Sequence, residues 1–163
     1  MMQIVHPIPP LWCAESQTLI LGSFPSVKSR ESGFFYGHPQ NRFWRVCASV
    51  FSVSVPETIE EKKKFVLGHK LALWDVIASC DIQGSADSSI RGALPNDIGV
   101  ILNGADIQNI FVNGKTAEKL YNQYLFPKYN IPAICLPSTS PANAAWSLER
   151  LIEAWRPIAE NKN

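Results

Sequence analysis

Four short apolar runs, each closed by a turn or loop, constrain the fold more than any other feature of this chain. Thr18-Leu19-Ile20-Leu21-Gly22 is uninterrupted by polar residues and ends on glycine, as a parallel strand buried on both faces does. Residues 71–77 form a second strand, with a helix as the alternative, and residues 109–114 form a third that runs into Asn113-Gly114. Residues 132–136 form a fourth. Between and after them lie amphipathic stretches. Phe43, Val46, Cys47 and Val50 recur at helical spacing within residues 41–51. Residues 57–67 place Glu60 and Glu61 before Lys62, Lys63 and Lys64, the order that suits a helix dipole. Residues 115–125 read as a helix, and residues 144–158 line up Trp146, Leu148, Leu151, Ile152 and Trp155 on one face. Strands alternating with helices predict a three-layer α/β/α sandwich around a central, mainly parallel four-stranded sheet. Ligands of such sheets bind where the strands end.

The length of 163 residues fits one domain spanning residues 1–163. A net charge of +1 excludes a polycation, so contact with nucleic acid would need a local basic face. Lys28, Arg30, Arg42 and Arg45 supply one, opposed between residues 28 and 45 only by Glu31. Cys13, Cys47, Cys80 and Cys135 form no Cys-x-x-Cys pair, and the expectation is no metal and no cofactor. The N-terminus lacks the basic and apolar regions of a signal, and no run reaches membrane-spanning length, so a cytoplasmic protein without a membrane partner is expected.

Two strand-end loops are chemically unusual. The first runs Gly22-Ser23-Phe24-Pro25-Ser26 and continues through Phe34-Phe35-Tyr36 to His38-Pro39-Gln40-Asn41-Arg42-Phe43-Trp44. Three adjacent aromatics between two glycines offer a platform for a planar base, unless the loop folds back to plug the core. The second loop is Pro137-Ser138-Thr139-Ser140-Pro141-Ala142-Asn143, with hydroxyls suited to phosphate ahead of a helix. Alternatively, Asn143 simply caps that helix.

The block from Gly33 to Trp44 resembles the first-motif loop of mismatch-specific uracil- and thymine-DNA glycosylases, and residues 147–155 resemble their last helix. Gly22-Ser23-Phe24-Pro25-Ser26 combined with residues 137–143 is similar to the hypoxanthine-DNA (deoxyinosine) glycosylase branch of the uracil-DNA glycosylase superfamily. The likeness covers residues 18–156. One departure matters: where most of the superfamily has Asp or Asn two residues after the first glycine, this chain has Phe24. That ring can neither orient nor activate water.

The resemblance implies a monofunctional glycosylase that flips a deaminated base out of damaged DNA and hydrolyses its N-glycosidic bond. Asn41 is then the catalytic candidate, holding water, base or both. Gly22, Ser23, Phe24, Phe35 and Tyr36 would bind the base, Tyr36 by stacking with Phe34 or Phe35 in support. Pro25, Ser26, Lys28, Arg42, Ser138, Thr139, Ser140 and Asn143 would contact DNA. The expected state is a monomer. An amide offers both a donor and an acceptor, so Asn41 alone leaves hypoxanthine, xanthine and uracil open. A helix cap at Asn41 is the plainer alternative. A serine hydrolase is excluded by chain order, since His6, His38 and His69 do not follow both serines and a later acid. A non-catalytic nucleic-acid-binding module of the same fold remains, prompted by Phe24.

Overall fold

The computed structural model describes residues 3–86 and 89–160. Its main sheet has four parallel strands, β2 (Thr18–Gly22), β3 (Leu71–Asp75), β6 (Asn109–Asn113) and β7 (Ile134–Leu136), in the order β3-β2-β6-β7. Every residue of β2 is buried. Side-chain alternation divides the core in two. Ile20, Leu71, Leu73 and Phe111 face one side, packing with Phe43 and Trp44 of α2 (Phe43–Val50), Phe65 of α3 (Ile59–Gly68) and Trp155 of α7 (Leu148–Trp155). Leu19, Leu21, Ala72, Ile110 and Val112 face the other, against Ile101 of α4 (Gly99–Gly104) and Ala117, Leu120 and Tyr121 of α5 (Lys115–Tyr124). The three-layer sandwich with its parallel sheet is therefore present.

Three departures from the expected elements have local causes. The run 71–77 does not continue as one strand: β3 stops at Asp75, and after Val76 the chain enters β4 (Ile77–Asp81) of a second sheet. That sheet is antiparallel, in the order β1 (Ile4–Val5), β4, β5 (Arg91–Pro95). Its short and partly exposed strands leave little hydrophobic pattern to read. The last helix begins at Leu148 rather than residue 144, because Ser147 accepts the backbone N–H of Arg150 and acts as its cap. Asn143 is thus not a helix cap. A short helix α1 (Val27–Ser32) follows Ser26, whose hydroxyl accepts the Ser29 N–H.

Candidate active site

The C-terminal ends of β2, β3, β6 and β7 surround a cavity of about 310 Å³, within the usual range of small-molecule sites. Both unusual loops line it, together with Asp75 and Asn113 from the strand ends. Of the expected residues, Gly22, Ser23, Phe24, Pro25, Ser26, Phe35, Tyr36, Asn41, Ser138, Thr139 and Ser140 meet there.

Tyr36 has φ 53°, a left-handed conformation that costs energy for a residue with a Cβ. Its ring stacks on Phe43 with centroids 4.0 Å apart, so the cavity sees the other face or the hydroxyl edge. Gly22 makes this approach possible. A Cβ there would fall on Asp75 Oδ1 and lie 3.3 Å from the Tyr36 hydroxyl.

Asp75 is the residue that sequence reasoning passed over. Its side chain is 6% exposed, and Oδ2 lies 2.8 Å from Nε2 of the equally buried His6. The Ile8 backbone N–H points at His6 Nδ1 over 3.1 Å. A backbone N–H can only donate, so Nδ1 accepts and Nε2 carries the hydrogen that Asp75 receives. Oδ1 lies beside Gly22, and both residues line the cavity. No pattern around Asp75 marks it, because its partner lies 69 residues away. A polar residue closing an otherwise apolar strand was the available signal.

Asn41 precedes α2, and its Oδ1 accepts the Phe43 N–H at 2.9 Å. It therefore does satisfy a first-turn donor of the helix. The same oxygen also accepts the Thr139 hydroxyl at 2.9 Å. Thr139, fully buried, is held by Asn113, which takes its N–H over 3.1 Å and donates Nδ2–H to its Oγ1 over 3.0 Å. Gly114, at φ 96°, turns the chain after Asn113, and a Cβ there would stand 3.0 Å from that of Ser138.

The other expected residues lie elsewhere. Phe34 is 5% exposed and stacks on Trp44 inside the core, where burying its ring outweighs display. Phe35 is also buried, yet it reaches the cavity wall. Arg42 turns its guanidinium toward the opposite loop. It donates to the carbonyls of Ser140, Asn143 and Trp146, bracing one loop against the other. Asn143 lies outside this cavity's lining and spends its amide on the Ser138 carbonyl. Lys28 stands away from the cavity, exposed and 3.9 Å from Glu31. Phe24 is buried edge-on against His6, a packing role consistent with its inability to handle water.

The brace makes a measurable difference. Arg42→Ala leaves three loop carbonyls without their donor, and equilibrium unfolding should show a loss of about 1–3 kcal/mol.

Burial pushes the Cys47 thiol well above its ordinary range, and it is inert at neutral pH. Among the described residues, no group of three or more His, Cys, Asp or Glu side chains could hold a metal ion. No helix among them is long and apolar enough to cross a membrane.

A family model described as the uracil DNA glycosylase superfamily matches residues 9–159. The chain belongs to that superfamily. A hypoxanthine DNA glycosylase of Methanosarcina acetivorans is 32% identical over 145 residues, covering 88% of this chain and 90% of the relative. A second hypoxanthine DNA glycosylase, from Methanosarcina barkeri, is 30% identical over 113 residues, 66% of this chain and 69% of its own. A solution NMR structure from M. acetivorans, provisionally assigned as a uracil DNA glycosylase, superposes with a TM-score of 0.79 at 27% identity. It covers 98% of this chain and 100% of that one. Superfamily membership accounts for the position of the cavity, at the strand ends where both motif loops converge.

Proposed function

We propose that this DNA glycosylase releases hypoxanthine from deoxyinosine in DNA, acting in the cytoplasm as a monomer without metal or cofactor. The observation that carries the reading is one cavity lined both by Tyr36, whose ring is backed by Phe43, and by the buried Asp75 carboxylate. A flipped base enters edge first and leaves its sugar at the mouth. The ring of Tyr36 meets its face, and Asp75 Oδ1 accepts the N1–H of hypoxanthine. Adenine presents a lone pair at N1 and is repelled by the same oxygen. Uracil also carries an N–H between carbonyls, so the two relatives described as hypoxanthine DNA glycosylases support the choice of the purine.

In the reaction, the C1′–N9 bond breaks and its electron pair passes to the purine. A water oxygen bonds to C1′ as the sugar passes through an oxocarbenium-like state; the water's proton goes to solvent, and the departing purine anion takes one up from solvent to leave as hypoxanthine. The protein's part is to hold the base away from the stack and to stabilise charge gathering on it. Ser138, Thr139 and Ser140 form the wall nearest the DNA backbone in this reading. Ser138 and Ser140 use their hydroxyl oxygens to accept the N–H groups of Ser140 and Ala142, which stiffens that wall.

The test is release of free hypoxanthine from inosine-containing DNA in chelator, beside uracil- and xanthine-containing strands, single and double. Inosine should be cleaved fastest, with no loss on chelation. Binding without release would favour a non-catalytic module, and faster uracil release would reassign the base.

A further inference from the structure

The amide of Asn41 can be oriented in two ways, and the surrounding hydrogen bonds decide between them. The Phe43 backbone N–H can only donate, so the Asn41 atom 2.9 Å from it is oxygen. The Thr139 N–H likewise fixes Oδ1 of Asn113, which puts the Asn113 NH₂ on Thr139 Oγ1. With an amide hydrogen arriving at its oxygen, the Thr139 hydroxyl turns its own hydrogen toward Asn41 Oδ1, 2.9 Å away. Both lone pairs of the Asn41 oxygen are then occupied. What remains for the cavity is the NH₂ group, a pure donor.

We infer that Asn113 and Thr139 are positioning residues that set the polarity of Asn41, making it a donor to the base carbonyl and excluding it as an acceptor for the attacking water. The inference rests on the glycosylase reading and refines it. A water activated for attack must give up a hydrogen to an acceptor, and Asn41 has no lone pair left to receive it. On hypoxanthine the acceptor is O6, next to the N1–H that Asp75 receives. Negative charge reaches O6 as the C1′–N9 bond breaks, so a donor held there binds the transition state more tightly than the substrate. The relay is directional: Asn113 gives a hydrogen to Thr139, Thr139 gives one to Asn41, and Asn41 gives one to the base.

Two substitutions break the direction without changing size much. Thr139→Val removes the hydroxyl. Asn113→Asp keeps an acceptor for the Thr139 N–H but replaces the NH₂ by an oxygen, which draws the hydroxyl hydrogen away from Asn41. Each should slow single-turnover release from deoxyinosine by about 10-fold, the scale of one hydrogen bond. The deciding substrate is 2′-deoxy-6-thioinosine, which keeps the N1–H that Asp75 receives but carries sulfur, a much weaker acceptor, in place of O6. Rates and duplex affinities are both measured, on protein shown by its melting transition to be folded. The inference expects each variant to lose about 10-fold on deoxyinosine and much less on the thio analogue. Equal losses on both, with active wild type, would overturn the relay and leave the glycosylase reading standing. A wild type that neither cleaves nor prefers the inosine duplex would overturn both.

Discussion

Asp75→Asn should reduce hypoxanthine release by about 100-fold or more, the scale of losing one preorganised polar group in an active site. The reason lies in His6, whose Nε2–H must be received by an oxygen. The new amide would therefore turn its oxygen toward His6 and its NH₂ toward the cavity. An acceptor in the cavity wall becomes a donor, facing the N1–H of hypoxanthine head on. Adenine, with a lone pair at N1, would meet a complementary group instead, so the preference for inosine over adenine should shrink. The fold should persist, because the hydrogen bond to His6 survives and the side-chain volume hardly changes. Single-turnover assays on deoxyinosine and deoxyadenosine strands, with melting curves, check this. Unchanged inosine cleavage would reduce the His6–Asp75 pair to a packing device.

Asn41→Ala should also cost about 100-fold in single-turnover cleavage. Part of the substitution is structural, since Asn41 caps the first turn of α2 and such caps contribute about 1 kcal/mol. Asn41→Asp separates the two contributions. Aspartate still accepts the Phe43 N–H and the Thr139 hydroxyl, so stability should return toward wild type. Its second oxygen offers the cavity an acceptor in place of the NH₂, and activity should stay as low as in the alanine variant. Stability restored together with activity would make Asn41 a cap and nothing more.

These expectations draw on features that were unequally legible in the sequence. The four parallel strands were readable because burial on both faces leaves unbroken apolar runs such as Leu19-Ile20-Leu21. The antiparallel sheet was not, since β5 is mostly exposed and β1 has two residues. The cavity's loops stood out through their glycines, aromatics and hydroxyls. Asn41 was visible as a candidate with two roles open, and the structure places it in contact with both the helix and the cavity. The bracing role of Arg42 was not legible, because a cation beside a nucleic-acid motif suggests phosphate. Its three carbonyl partners lie 98 to 104 residues further on. Asp75 and Asn113 close two strands as single polar residues, and only the neighbours brought by folding give them a chemistry.

The same distances along the chain govern when the protein becomes competent. His6 reaches Asp75 across 69 residues, and Asn41 reaches Thr139 across 98. Contacts of this span close late, because large loops must be ordered before they form. A nascent or half-folded chain thus has no cavity in which to seat a base, however complete its individual helices. Competence to cut a glycosidic bond therefore waits on segments far apart in sequence coming together, and a truncated or half-folded chain lacks the site.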